Sequence, residues 1–93
     1  MMEYCEALAN DIVDLYEDID PWGQRSAFDS REDALASCIE CLTTWTAKEM
    51  KEAIVDDLRK YAKDGYDDPL LKKVLEELVE WAKMRGLDTK VMR

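Results

Sequence analysis

Apolar side chains recur at helical spacing along most of the chain, and the first stretch shows this pattern most clearly. Between residues 2 and 19 the apolar positions step by three or four, which keeps them on one side of a helix. These positions are Cys5, Leu8, Ile12, Leu15 and Ile19. The charged residues of the stretch fall between them. The sequence therefore predicts an amphipathic helix over residues 2–19 with one apolar and one acidic side.

Breaks in the apolar pattern and capping residues predict where the next helix lies. Asp20 stands before a proline, which disfavours the helical conformation of the preceding residue, so the first helix ends there. A loop then covers residues 21–29. Asp29 or Ser30 can cap a second helix over residues 30–44, because a carboxylate or hydroxyl at that position accepts hydrogen bonds from the unpaired N–H groups of the first turn.

Two capping motifs predict the remaining helices. Thr46 and Glu49 form a capping box that starts a third helix over residues 47–64. Helices two and three could also run together without a break, since only a cluster of β-branched threonines disfavours the helical conformation between them. Asp68 before a proline starts a fourth helix over residues 69–85, because proline at the first helical position loses no hydrogen bond.

The apolar pattern also predicts which side of the third helix is buried. Spacings of three and four place a group of its side chains on one inner side. These are Met50, Ala53, Ile54, Leu58, Tyr61 and Ala62. With equivalent sides on the other helices, the sequence predicts an all-α fold. We expect a compact, bundle-like single domain of four helices over residues 1–86 with short connections, followed by a short mobile tail at 87–93.

Charge is distributed unevenly along the 93 residues. The net charge is −9, with 13 basic and 22 acidic side chains. Residues 1–40 hold 11 of the acids and only 2 of the bases, whereas residues 41–93 are neutral overall. A surface of this sign repels phosphates, so we expect the protein to bind neither nucleic acid directly nor anionic membranes.

The sequence indicates neither a secretory signal nor a membrane span. Acidic side chains stand among the first residues, where a signal peptide requires basic and apolar ones. The longest uncharged stretch, residues 41–47, covers 7 positions, against about 20 for a spanning helix. The 3 cysteines are an odd number, which is typical of reduced thiols. We therefore expect a cytoplasmic protein.

Side chains suited to catalysis are few. The chain has no histidine, the residue that most often supplies acid–base catalysis and metal ligation near neutral pH. Cys38 and Cys41 form a C-x-x-C pair inside a predicted helix, whereas redox pairs place the first thiol at a helix N-terminus. With Cys5 they fall one ligand short of a zinc site. We predict no enzyme activity, no metal and no cofactor; the thiols fill apolar space, with a reactive Cys41 as the open alternative.

One surface remains as a candidate binding site. Acidic side chains line the polar side of the first helix, and a tryptophan and an arginine follow in the loop. The predicted partner-binding residues are Glu3, Glu6, Asp11, Asp14, Glu17, Asp18, Asp20, Trp22 and Arg25. Trp22 is interpreted either as a ring folded over the end of the bundle or as an interface anchor, since tryptophan and arginine are enriched in interfaces.

The spacing of the carboxylates favours a protein partner with a basic surface. The first helix is about 25 Å long, so its carboxylates recur about every 4 Å, close to the roughly 3.4 Å between phosphates of a DNA strand. We predict a non-catalytic domain that binds a basic, nucleic-acid-binding protein, as inhibitors, antitoxins and immunity proteins do. The alternative is a self-associating structural subunit, such as a homodimer, because Tyr4, Ala9, Val13 and Tyr16 widen the apolar side of the helix.

Overall fold

Helices account for most of the described chain. The structure, a computed structural model, describes residues 2–19 and 28–92. In chain order the elements are α1 (Met2–Ile19), α2 (Arg31–Thr44), α3 (Ala47–Met50), the π-helical turn π1 (Lys51–Val55), α4 (Asp56–Lys63) and α5 (Pro69–Met84). The third predicted helix corresponds to α3, π1 and α4, which follow one another without a break. The described ranges contain no strand, so the predicted all-α class is confirmed.

Contacts between residues divide the chain into two compact units. The first unit comprises Met1–Thr44 and the second Trp45–Arg93. The boundary coincides with the change in charge, because the first unit contains 11 acidic and 2 basic residues and the second contains 11 of each. The whole net charge of −9 therefore belongs to the first unit. A single domain over residues 1–86 stays a prediction.

In the first unit α1 packs against α2, and the predicted apolar side of α1 is buried. The buried residues of α1 are Cys5, Leu8, Ala9, Ile12, Val13 and Leu15. Burying a large aliphatic side chain contributes about 1.5–3 kcal/mol, so this side of the helix is firmly fixed. The first residue of α2 is Arg31. Ser30 caps the helix, because the Ser30 hydroxyl accepts a hydrogen bond from the Asp33 N–H at 3.2 Å.

The break between the second and third predicted helices is present. Residue Thr44 ends α2, and α3 begins at Ala47. The Glu49 N–H donates to Thr46 Oγ1 at 3.2 Å, and the Thr46 N–H donates to Glu49 Oε1 at 3.1 Å. These two bonds are the predicted capping box. The alternative of one continuous helix is therefore wrong.

Capping residues also fix the start of α5 and the ends of α4 and α5. Asp68 accepts a hydrogen bond from the Leu70 N–H at 2.8 Å and starts α5, as predicted. Gly65 after α4 and Gly86 after α5 have positive φ angles of 103° and 70°. Glycine adopts this left-handed conformation at low cost, and the N–H groups that follow bond back to the last carbonyls, which ends each helix.

The π-helical turn changes which side of the third predicted helix is buried. The buried residues of this stretch are Ala47, Met50, Val55 and Leu58. A π turn holds one residue more than an α turn, so every later position is rotated by about 100° relative to an uninterrupted α-helix. Val55 thereby takes the inner place predicted for Ile54, which is half-buried. The inner positions predicted for Ala53 and Ala62 are wrong, since both residues are exposed.

The residues after α5 form turns and contain a buried side chain, in contrast to the mobile tail that the sequence predicts. Met92 is fully buried. We name residues 88–92 the C-terminal turn, because two of its N–H groups donate to carbonyls within it. The Arg59 guanidinium in α4 donates to the Met92 carbonyl, which connects the C-terminal turn to α4.

Deletion of Ala53 should leave the protein about as stable as the wild type. Removing one exposed residue from π1 converts it to an α-helical turn and keeps Met50, Val55 and Leu58 on one side, at spacings of four and three. Urea unfolding followed by circular dichroism measures the result.

The matched control deletes Glu80, which is exposed in α5. This deletion rotates the following residues by about 100° and takes the fully buried Trp81 and Ala82 out of their places. We expect the control to lose at least about 3 kcal/mol, as truncation of a large core side chain does. Equal losses in the two deletion variants would contradict the assignment of π1 as a one-residue insertion.

Candidate partner-binding surface

The acidic side chains of α1 lie on a single side of the helix, opposite its buried side. An α-helix turns by about 100° per residue, so the acids of α1 fall within an arc of about 140°. They are Glu3, Glu6, Asp11, Asp14, Glu17 and Asp18. Asp11, at the edge of the arc, is half-buried, and the other acids are exposed. We name these residues the acidic face.

One arginine of the first unit is bound to the acidic face. The Arg31 guanidinium lies 2.5 Å from Asp14 Oδ1 and 2.9 Å from Glu17 Oε2. The hydrogen bond to Asp14 raises the pKa of Arg31 above its usual range, because the carboxylate stabilises the charged form of the guanidinium. Exposed ion pairs of this kind contribute about 0–1 kcal/mol each. Arg31 therefore reduces the local negative charge without contributing much to stability.

Sequence reasoning missed the role of Arg31. The sequence does contain a hint of this role, because Arg31 is one of only 2 bases available to pair with the 11 acids of the first unit. Asp14 and Glu17 are three residues apart and lie on the same side of α1, where one guanidinium can reach both. Pairing them with a residue 14 or more positions away requires the packing of α1 against α2, which spacing alone does not supply.

The start of α2 extends the negative charge beside the acidic face. Glu32 and Asp33 lie in the first turn of α2 and are exposed. They directly follow Arg31, which contacts α1. Carboxylates in a first helical turn are stabilised by the helix dipole, so their presence here needs no functional explanation, although they add to the field around α1.

Carboxylates at the other end of α1 lie where the helix dipole disfavours them. The last turn of α1 contains Glu17 and Asp18 and no basic residue. A helix carries about half a negative charge at its C-terminal end, which favours cations there by roughly 0.3–1 kcal/mol and disfavours carboxylates. Arg31 offsets this cost at Glu17 by pairing with it. Asp18 is exposed in the same turn.

Three of the predicted partner-binding residues lie outside the described residues. They are Asp20, Trp22 and Arg25. Their part in the surface, and the choice between a folded-back and an interface-anchoring Trp22, stay predictions.

The three thiols of the first unit are buried or half-buried, and none of them forms a disulfide. Cys5 is buried, and Cys38 and Cys41 are half-buried. Burial raises the pKa of the Cys38 thiol to about 12, and the neighbouring Cys41 and Cys5 act in the same direction. A nucleophilic thiol requires a lowered pKa, so Cys38 is suited to filling apolar space. Within residues 2–19 and 28–92 no group of three His, Cys, Asp or Glu side chains is arranged to hold a metal ion.

The second unit contains a cavity of about 210 Å³. Ala62, Leu71 and Leu75 supply apolar walls, and Asp67 and Asp68 stand beside them. Both carboxylates already have partners: a lysine Nζ lies 3.7 Å from Asp67, and Asp68 accepts hydrogen bonds from a tyrosine hydroxyl and a backbone N–H. Asp68 is thus satisfied within the chain and Asp67 is exposed to solvent, so neither carboxylate marks a ligand site in this cavity.

Comparison of the chain with protein-family models, with curated proteins and with solved structures gives no match. Among the described helices none has both the length and the apolar character that crossing a membrane requires.

Cys38 should resist alkylation by iodoacetamide at pH 8. With a pKa of about 12, its thiolate fraction at that pH is on the order of 10⁻⁴, and the thiolate is the species that reacts. Mass spectrometry after alkylation should find Cys38 unmodified in the native protein and fully modified in protein unfolded in urea. Rapid modification of native Cys38 would restore a redox interpretation of the C-x-x-C pair with Cys41.

Proposed function

We propose that the protein is a non-catalytic domain that uses the acidic face of α1 to bind and inhibit a basic, nucleic-acid-binding protein. The observation that carries the proposal is the grouping of the carboxylates on one side of α1, in the unit that holds the entire net charge of −9. A partner surface whose Lys and Arg side chains normally contact phosphates meets negative charges at similar spacing here. Occupying that surface blocks nucleic acid from it.

The spacing of the acidic face supports this comparison with nucleic acid. The axial distance from Glu3 to Asp18 is about 22 Å at 1.5 Å per residue. Six carboxylates over this length lie about 4–5 Å apart along the axis, against about 3.4 Å per phosphate in one DNA strand. Arg31 removes one of these charges, and Glu32 and Asp33 add two beside them. The local excess of negative charge is thus retained.

The position of Glu17 and Asp18 gives independent support. Both lie at the end of α1 where the helix dipole disfavours carboxylates. A neutral or basic residue at position 18 would stabilise the helix, whereas pairing with Arg31 offsets the cost at Glu17. Side chains that lower stability at an exposed position are typical of binding surfaces, because stability and function compete there.

Self-association as a structural subunit is the weaker proposal. Its motivation is the wide apolar side of α1, but Ala9 and Val13 are buried within the chain, and Tyr4 and Tyr16 are half-buried. The large hydrophobic side chain that stands exposed among the described residues is Met84, at 49%. One methionine is far smaller than the several hundred Å² of contiguous apolar surface that marks an interface.

Neutralising four exposed residues of the acidic face should abolish capture of the partner. The variant carries Glu6→Gln, Asp14→Asn, Glu17→Gln and Asp18→Asn. Tagged protein is incubated with a lysate of the native cell, and bound proteins are identified by mass spectrometry. We expect the wild type to retain a basic, nucleic-acid-binding protein that an excess of DNA duplex displaces and that about 0.5 M NaCl releases, because salt screens exposed charges. The variant should not retain it.

The matched control removes the same amount of charge from the second unit, at residues that are also exposed. It carries Glu52→Gln, Asp64→Asn, Glu76→Gln and Glu80→Gln. This variant should capture the partner as well as the wild type does. Equal capture by both variants, or capture that DNA does not displace, would contradict the electrostatic proposal.

Asp18→Asn should stabilise the protein and weaken partner binding at the same time. The substitution removes a charge that the helix dipole disfavours by roughly 0.3–1 kcal/mol. The matched variant is Glu3→Gln, in the first turn of α1, where the dipole favours a carboxylate. This variant should also weaken binding, but it should lower the stability of the protein instead of raising it. Urea unfolding and a binding titration with the captured partner measure the two effects. If either substitution leaves binding unchanged, the acidic face does not extend to that end of α1.

A further inference from the structure

Ile54 and Val55 are adjacent aliphatic residues in π1. Either of them is suited to the inner side of the helix. Met50 and Leu58 are fully buried, and Val55 between them is 2% exposed. Ile54 is half-buried. In an uninterrupted α-helix Ile54, four residues after Met50 and four before Leu58, would take the inner position. Exchange of Val55 for Ile54 by itself changes little apolar burial, because both are branched aliphatic side chains. The accompanying rotation also displaces the fully buried Leu58, so the α register is the less populated of the two.

An ion pair matches the π register and not the α register. Lys51 Nζ lies 3.1 Å from Asp56 Oδ2. The two residues are five apart, which is the hydrogen-bond repeat of a π-helix. In an α-helix, residues five apart point about 140° away from each other, so the same pair would be broken. The Lys51–Asp56 contact therefore stabilises one register selectively.

The register decides whether α4 can hold the C-terminal turn. The Arg59 guanidinium donates to the Met92 carbonyl, and the Met92 side chain is fully buried. An α register at π1 would rotate α4 by about 100° relative to α3. That rotation withdraws Arg59 from Met92 and leaves the C-terminal turn without its contact to α4.

We propose that π1 is a two-register element whose state couples the Lys51–Asp56 ion pair to the docking of the C-terminal turn. In the π register Val55 is inward, the ion pair is formed and Arg59 holds Met92. In the α register Ile54 is inward, the ion pair is broken and the C-terminal turn is released. A change that removes charge from Lys51 or Asp56 shifts the equilibrium toward release. The device lies in the second unit and does not depend on the proposed function.

Amide hydrogen exchange measured by NMR tests the coupling. The variants are Lys51→Gln and Asp56→Asn, and the readout is the exchange rate of the Met92 N–H, which donates to the Thr89 carbonyl. The N–H of Leu78, a fully buried residue of α5, is followed in the same samples, because a Met92 N–H that exchanges faster than it does so by local opening and not by global unfolding. Each variant should raise the Met92 exchange rate about two- to five-fold, the range of an exposed ion pair.

A variant that lacks Ala53 is the reference protein for this test. It removes the extra residue of π1, so Met50, Val55 and Leu58 stay inward in an α-helical turn and no second register remains. Adding Lys51→Gln to this deletion should leave the Met92 exchange rate unchanged. The proposal is overturned if Met92 exchanges no faster than Leu78, if neither charge variant raises the Met92 rate in the chain that retains Ala53, or if Lys51→Gln raises it equally with and without Ala53.

Discussion

Burial of one side of α1 is the constraint on which the rest of the first unit depends. Leu8 and Leu15 are 1% and 0% exposed, and each buried leucine contributes about 1.5–3 kcal/mol. No surface ion pair is strong enough to rotate the helix away from that arrangement. The acids lie on the side of α1 opposite its buried residues, so their side chains point away from the core of the unit. The packing of α1 thus concentrates its carboxylates into one surface.

The charge of that surface is only partly balanced inside the chain. Arg31 bridges Asp14 and Glu17, while Asp18 stands in a turn without a base. A chain selected only for stability would place cations at this helix end. The first unit carries the whole net charge, and the second unit is neutral. A concentration of charge of one sign attracts basic surfaces over a long range and speeds their encounter. Electrostatic attraction of this kind is the physical basis of the proposed function.

Much of the fold could be predicted from the sequence because local chemistry determines it. The hydroxyl of Thr46 and the carboxylate of Asp68 cap helices wherever the neighbouring chain is free to form one, and both positions are confirmed. Glycine after α4 adopts the conformation that ends a helix. The acidic side of α1 follows in the same way from the helical period.

The remainder depends on contacts between residues distant in sequence. Ile54 and Val55 are both apolar, and the 3.6-residue period alone selects Ile54; only tertiary packing places Val55 inward through a π turn. Likewise, nothing in the local sequence marks Met92 as buried or Arg59 as its partner. Arg31 is a further case, since its pairing requires two helices to be packed first.

The most direct test of the account is an NMR titration of the isotope-labelled protein with its captured basic partner. The predicted result is that chemical-shift changes concentrate on residues 3–18 and Arg31 and disappear when NaCl is raised to about 0.5 M, where the Debye length falls to a few Å. Changes confined to the second unit, or changes on α1 that persist at high salt, would contradict the claim that the acidic face is the binding surface.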